Sequence, residues 1–153
     1  MGPGPAGLAR YTSRGQWTLA RHLKILNLIL LEFTDKIYQA KANRTEGPRL
    51  LILAPFRHGK SYFVSWHYPT WLKIFHPEFS EMLLSYKDVF SGKWGRKTLE
   101  LVRRYGPELT GVQVNPKVGA RNSWALANYD SELNACGIKA GIVGRGADVL
   151  IID

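Results

Sequence analysis

The sequence is short of cysteine and of long apolar runs, and each shortage excludes a class of structure. A single cysteine, Cys136, among 153 residues excludes an internal disulfide framework and a cysteine-based zinc site. The densest apolar run, from Ile25 to Leu31, is broken by Asn27 and falls well short of the roughly 20 residues that a membrane-spanning helix needs. We therefore expect no membrane partner and a reducing compartment.

Acidic residues are also scarce. The chain has 12 Asp and Glu against 21 Lys and Arg, which gives a formal net charge of +9. A basic surplus of this size favours a polyanionic partner such as nucleic acid. Hydrophobic residues make up 45% of the sequence, enough for a buried core, and the length fits one domain.

The order of apolar patterns predicts an α/β fold. Residues 1–15 form a flexible leader in this interpretation, and residues 16–153 form the domain. Apolar residues recur every three or four positions between Gln16 and Ala42, which predicts a long amphipathic helix. These apolar positions are Leu19, Leu23, Leu26, Leu30, Phe33 and Ile37.

Short continuous apolar runs alternate with helical patterns in the rest of the chain. The runs predict buried strands at 50–54, 82–86 and 149–152, and the patterns predict helices at 61–75 and 88–105. Pro69 should end or kink the first of these helices, and residues 106–146 look like hairpins and loops. This order is typical of a mostly parallel sheet flanked by helices and preceded by the long N-terminal helix.

The segment from Ala54 to Ser61, with the sequence APFRHGKS, has the pattern of a phosphate-binding loop. In such a loop, backbone N–H groups at a helix N-terminus face the phosphates. Lys60 would reach the β- and γ-phosphates, and the Ser61 hydroxyl would bind Mg²⁺. Ala54 departs from the pattern, which has glycine at that position. A glycine-containing turn with a surface lysine is the alternative interpretation.

A carboxylate at the tip of a neighbouring strand usually completes such a site by holding Mg²⁺. Asp153 follows the apolar run Val149–Ile152 and fits that place. Lys60, Ser61 and Asp153 together predict a P-loop NTPase core with ATP and Mg²⁺ as cofactors.

Four segments, in this order, resemble the ATPase domain of the phage terminase large subunit, the motor that packages viral DNA. They are WTLARHL at 17–23, PFRHGKS at 55–61, LSY at 84–86 followed by GR at 95–96, and GIVGRGADVLIID at 141–153. The family's loop reads PPRHGKS, so Phe56 replaces its second proline.

The resemblance implies a role for further residues. Arg57 would approach the γ-phosphoryl group, and Arg145 would be an arginine finger toward a neighbouring subunit's ATP, with a structural arginine as the alternative. Gln16 and Trp17 would lie on the adenine side, although a tryptophan on an amphipathic helix is also typical of a core. The complete nucleotide-binding set would be Pro55, Phe56, Arg57, His58, Gly59, Lys60, Ser61, Gln16 and Trp17, with Lys60, Arg57, Asp153 and Arg145 in catalysis.

The resemblance also implies the setting. The full-length protein would hydrolyse ATP to move double-stranded DNA into a capsid, as a homo-oligomeric ring with portal and small-terminase partners in the host cytoplasm. The family continues beyond the strand's Asp with a second acidic residue and a nuclease domain. We therefore expect a chain truncated after that strand, residues 16–153 being a partial ATPase domain that binds nucleotide with little or no hydrolysis. A non-hydrolysing nucleotide- or DNA-binding remnant, or another P-loop ATPase such as a helicase, is the alternative.

Basic residues cluster on the helix predicted at 88–105. Lys93, Arg96 and Lys97 are candidates for contact with the DNA backbone, which would make binding strongly dependent on salt. An ordinary solvated helix face is the alternative for each of them.

Overall fold

The described part of the chain folds as an α/β structure in which four α-helices and a π-helix accompany one five-stranded sheet. A computed structural model describes residues 4–120, 122–139 and 146–153. In chain order the elements are α1 (Gly4–Thr12), α2 (Arg21–Asn43), a π-helix (Tyr62–His67) that runs on into α3 (Tyr68–Phe75), β1 (Glu81–Ser85), α4 (Asp88–Leu109), β2 (Val114–Ala120), β3 (Ser123–Leu126), β4 (Glu132–Gly137) and β5 (Val149–Ile152).

The sheet is mixed, so the predicted P-loop NTPase core with a mostly parallel sheet is wrong. The strand order is β2-β3-β4-β1-β5. β1 pairs in parallel with β4 and β5, whereas β2 with β3 and β3 with β4 are antiparallel. The reason is the spacing between β2, β3 and β4, because connections of a few residues can join only antiparallel neighbours.

The run at 50–54 is the second departure, because it forms no strand. Leu51 and Leu53 are 82% and 85% exposed, and the segment flanks a cleft of about 1150 Å³ between α2 and β5. An apolar run indicates side chains that could be buried, but it does not supply a partner strand. The strand pairings of this sheet do not include residues 50–54.

The N-terminal residues also differ from the expectation of a leader, since residues 4–12 form α1. Leu8 and Ala9 are fully buried. The Ala6 amide donates to Asn27 Oδ1 at 2.9 Å, so the polar residue that interrupts the apolar run of α2 anchors α1. Position 27 therefore serves the contact between two helices.

The predicted long helix is present as α2, and it begins at Arg21 instead of Gln16. Leu23, Leu30 and Ile37 of its apolar stripe are buried in the core. The stripe predicted the buried face correctly because helical periodicity fixes which side chains share a side.

Helix continues through Pro69, which we expected to end or kink it. Pro69 lies at the N-terminal end of α3, where a missing N–H is tolerated. The preceding turn is a π-turn, in which the Tyr68 amide donates to the Phe63 carbonyl five residues back. α4 likewise runs past its predicted end to Leu109, with Pro107 inside it.

The ends of β5 are tied to neighbouring elements. At its start, Asp148 forms an ion pair with Lys41 of α2 at 2.7 Å and accepts the Ser80 amide at 2.8 Å. At its end, the Asp153 amide donates to the Leu84 carbonyl of β1 at 2.9 Å. These contacts fix the position at which the Asp153 side chain leaves the sheet.

Glu81, the first residue of β1, is a buried carboxyl group in register with Leu133 of β4 and Val149 of β5. Neither of its carboxylate oxygens has a hydrogen-bond partner among the described residues. Burial raises the pKa of Glu81 to about 8, although Lys73 opposes the shift. The Lys73 ammonium is itself buried and donates to the Phe79 carbonyl at 2.5 Å.

We expect Glu81→Gln to remove a pH dependence of stability. The unfolded carboxyl ionises near pH 4.5 and the folded one near pH 8, so the free energy of unfolding should fall as pH rises between these values. The variant should be more stable than the parent at pH 8, by an amount on the order of a few kcal/mol, and about equal at pH 4.5. Urea titrations across this range measure the difference. Glu100→Gln, at an exposed position of α4, is the control, and an unchanged pH slope in Glu81→Gln would contradict the assignment.

Candidate functional site

One ammonium group and two hydroxyl groups converge on the carboxylate of Asp153. They come from the helical residues 60–61 and from the π-helix that continues them. Lys60 Nζ lies 2.7 Å from Asp153 Oδ1, and Ser61 Oγ donates to the same oxygen at 3.0 Å. Ser65 Oγ donates to Asp153 Oδ2 at 2.8 Å. The structure thus brings together Lys60, Ser61 and Asp153, which the sequence predicts to share a site although more than 90 positions separate the ends of the group.

Two residues with left-handed backbone conformation precede the helix that carries Lys60 and Ser61. Arg57 and Gly59 have φ angles of 62° and 79°, in the left-handed region. Glycine adopts this conformation without strain, whereas arginine does so at some cost. The Phe63 amide donates to the Gly59 carbonyl at 2.9 Å and closes the first turn of the helix. The first N–H groups of this helix, which have no acceptor within the helix, therefore lie at the end of the loop.

The site keeps Asp153 ionised. Burial raises the pKa of Asp153, but the hydrogen bonds from Lys60, Ser61 and Ser65 and the charge of Lys60 outweigh burial, so the net shift is downward. The side chains of Asp153 and Lys60 are 18% and 36% exposed, so water screens their interaction in part.

His22 of α2 contacts the loop at His58. Its Nε2–H donates to the His58 carbonyl at 2.9 Å, and the two imidazole rings meet edge to face at 5.9 Å. The C=O and the following N–H of a trans peptide point in opposite directions. By fixing the His58 carbonyl, His22 also fixes the direction of the Gly59 N–H.

The rest of the predicted loop is open to solvent. Pro55, Phe56, Arg57 and His58 are all exposed, and Phe56 is 97% exposed. The His58 ring bonds within the loop, to the Phe56 carbonyl at 2.8 Å. Arg57 makes no ion pair with any described residue. Within the predicted loop, Gly59 to Ser61 are partly buried, and His58 contacts α2 through its carbonyl and its ring although it is exposed.

The two residues predicted on the adenine side lie close to this helix in different surroundings. Trp17 stacks on Phe63 with ring centroids 5.7 Å apart and on Tyr62 at 6.2 Å, and it packs against the hydrophobic core. Gln16 is exposed. The packing of Trp17 fits the core alternative, and an adenine contact by either residue stays a prediction.

The predicted arginine finger, Arg145, lies outside the described residues. The DNA-contact candidates lie on α4. Lys97 Nζ is 4.3 Å from the Trp66 ring and 5.3 Å from the Trp94 ring, while Lys93 Nζ is 5.1 Å from Trp94. Burial, together with the charges of Lys93 and Arg96, lowers the pKa of Lys97.

Comparison with known proteins adds no name to this site. No family model matches the chain, and no curated protein and no solved structure matches it. Among the described residues, no helix is both long and apolar enough to cross a bilayer.

The oxygens at the site fit a magnesium ion. Mg²⁺ prefers hard oxygen ligands and is commonly held by one or two carboxylates together with substrate phosphates. Ser61 Oγ and Asp153 Oδ1, 3.0 Å apart, offer a hydroxyl and a carboxylate oxygen at one place. Lys60 adds a cation beside them that would pair with a phosphate oxygen.

Ser65 and His22 are the site residues that sequence reasoning missed. Ser65 follows Ser61 by four positions, and a helix places residues at this spacing on one face. That spacing was therefore a readable signal. His22 carried no comparable signal, because its contact with the loop joins residues 36 positions apart.

We expect Ser65→Ala to destabilise the fold by about 1–2 kcal/mol near neutral pH, because it removes a hydrogen bond to a charged group. Asp153 has a lowered pKa in the folded state, so this stabilisation is present above the ordinary pKa of 3.8 and is lost as pH falls below it. Urea unfolding at pH 7 and at pH 3 should show the effect shrinking in acid. In a double-mutant cycle, Ser65→Ala should cost less in an Asp153→Asn background. Equal costs in both backgrounds would show that the hydrogen bond contributes nothing.

We expect His22→Phe to weaken binding of Mg·ATP, the ligand that the resemblance implies, by about fivefold, since about 1 kcal/mol is typical for one hydrogen bond. His22→Gln keeps an N–H donor and should recover part of the loss. Gln39→Ala, at an exposed position of α2, should bind as the parent does. Calorimetric titration measures the affinities, and the thermal midpoint of each variant reports on folding. Equal affinities for His22→Phe and the parent would refute the positioning role.

Proposed function

We propose that this chain binds a nucleoside triphosphate with Mg²⁺ through Lys60, Ser61 and Asp153. We further propose that it is the ATP-binding core of a viral DNA-packaging terminase large subunit. In the full-length protein, ATP hydrolysis would drive translocation of double-stranded DNA into a capsid. The observation that carries the first part is the convergence of Lys60 and Ser61 on one oxygen of Asp153.

The electrostatics of the cluster favour an exchange of partners when phosphates bind. Without a ligand, the ammonium of Lys60 is paired with Asp153 at 2.7 Å. A triphosphate carries more negative charge than one carboxylate and would draw the ammonium to its β- and γ-oxygens. Asp153, freed from Lys60, and Ser61 would then face the metal, which neutralises charge on the phosphoryl oxygens.

The protein groups around the cluster would position the phosphates. The N–H groups at the start of the helix supply donors, and the helix dipole favours negative charge there. Ser65 holds the second oxygen of Asp153 and leaves the first for the site. Arg57 is exposed in the loop and has no ion-pair partner among the described residues, and it would reach the γ-phosphoryl group, as the resemblance implies.

The assignment to a packaging motor rests on sequence resemblance in four segments, not on sheet topology, which is mixed. Two further properties support it. The surplus of nine positive charges suits a polyanionic substrate, and Lys93, Arg96 and Lys97 lie together on α4. Contacts with double-stranded DNA, with portal and small-terminase proteins and within a homo-oligomeric ring belong to this proposal, as does a place in the host cytoplasm.

The test is nucleotide binding by the chain and two variants. We expect the parent to bind Mg·ATP, and Lys60→Ala to lose binding because no other side chain of the cluster pairs with a phosphate oxygen. Asp153→Asn should keep weak ATP binding and lose its dependence on Mg²⁺, since the amide is a poor ligand for that ion. Calorimetric titration with and without Mg²⁺ distinguishes the two effects.

Lys24→Ala, an exposed cation of α2 outside the cluster, is the matched control and should bind as the parent does. Retained ATP affinity in Lys60→Ala would refute the phosphate site. Loss of affinity in the control to the same extent would show that net charge alone is responsible.

A further inference from the structure

A second basic site lies where the end of α1 meets the C-terminal part of α4. The two helices enclose a concave surface pocket of about 900 Å³. Its walls carry three arginines, two tyrosines and one carboxylate: Arg10, Arg14, Arg104, Tyr11, Tyr105 and Glu108. None of these residues belongs to the cluster around Asp153.

The pocket lining carries more positive than negative charge. Arg10, Arg14 and Arg104 are exposed, and none of them forms an ion pair with another described residue. The only carboxylate in the lining, Glu108, accepts a hydrogen bond from the Tyr11 hydroxyl at 2.5 Å. Three guanidinium groups and one carboxylate leave the lining with a net positive charge.

A ring contact and a hydrogen bond to the backbone hold the two helices of the pocket together. The rings of Tyr11 and Tyr105 meet edge to face at 5.8 Å, and the Tyr105 hydroxyl donates to the Thr12 carbonyl at 3.4 Å. After α1 the chain turns through Arg14, whose φ is 53°, and the Gly15 amide donates to the Arg10 carbonyl at 2.9 Å. Arg10 and Arg14 are therefore carried by one closed turn.

We propose that this pocket binds phosphate groups of a nucleic-acid backbone, duplex DNA being the partner. Guanidinium groups pair with phosphate through two parallel hydrogen bonds, which suits them to this anion. The arginines are exposed and come from two helices, an arrangement that fits an extended polyanion along the surface better than a small enclosed ligand.

The pocket also continues the basic side of α4. From Lys93 to Arg104 is eleven residues, or about 16 Å along a helix. Arg10 and Arg14 extend this basic surface beyond α4 itself, so one strand of a duplex could contact both regions. The identity of the polyanion as DNA rests on the proposed function, whereas the existence of the anion site does not.

The experiment measures the affinity for a short DNA duplex against salt concentration in three triple variants. The pocket variant carries Arg10→Gln, Arg14→Gln and Arg104→Gln. The α4 variant carries Lys93→Gln, Arg96→Gln and Lys97→Gln. The control carries Lys24→Gln, Lys36→Gln and Lys117→Gln, which removes the same charge elsewhere. The thermal midpoint of each variant establishes that it folds.

We expect the pocket variant to bind the duplex on the order of tenfold more weakly at about 0.1 M salt. Its plot of log affinity against log salt should be shallower by about 2–3, since each lost phosphate contact removes about 0.9 from the slope. The control should change little, and Mg·ATP binding should be unchanged in the pocket variant.

Equal losses in the pocket variant and the control would overturn the proposal, because net charge would then be sufficient. A loss confined to the α4 variant would also overturn it while leaving the proposed function standing. Inorganic pyrophosphate is the second probe: if it binds the pocket and depends on the arginines while the duplex does not, the site is one for small anions and the nucleic-acid assignment fails.

Discussion

The hydrogen bonds and the ion pair of the Asp153 carboxylate are the interactions on which the rest of the site depends. One carboxylate receives Lys60 and Ser61 on one oxygen and Ser65 on the other. A charge that is mostly shielded from water is costly unless it is paired and hydrogen-bonded. The three donors meet that need, and in doing so they join the start of one helix to the end of β5.

The sheet and α2 hold this meeting point in place. β1 lies between β4 and β5 and runs parallel to both, so Asp153 leaves the sheet beside the end of β1. Asp148, bound by Lys41 and the Ser80 amide, fixes the other end of β5. His22 then holds the loop carbonyl of residue 58. α2 therefore supports both the strand and the loop that make the site.

The basic side chains lie in different surroundings, which determine whether each one is available to an anionic ligand. Lys60 is paired with a carboxylate, Lys97 contacts two tryptophan rings, and the buried Lys73 ammonium donates to a backbone carbonyl. The arginines at the junction of α1 and α4 are exposed and lack ion-pair partners among the described residues. These arginines are open to a phosphate backbone, whereas pairing and burial reduce what Lys60, Lys97 and Lys73 can offer.

Local patterns in the sequence were enough to predict the buried face of α2 and the strands β1 and β5. They also predicted that Lys60 and Ser61 lie near Asp153, although not the contribution of Ser65. Helical periodicity, short apolar runs and a loop motif each act within a few residues. Tertiary structure decided the rest. The run at 50–54 has the composition of a strand but no strand pairs with it, and short connections made half of the sheet's pairings antiparallel. α1 is a packed helix because Leu8 and Ala9 find the core and Asn27 accepts the Ala6 amide. Such contacts join residues far apart in the chain, so their outcome depends on how the whole chain packs.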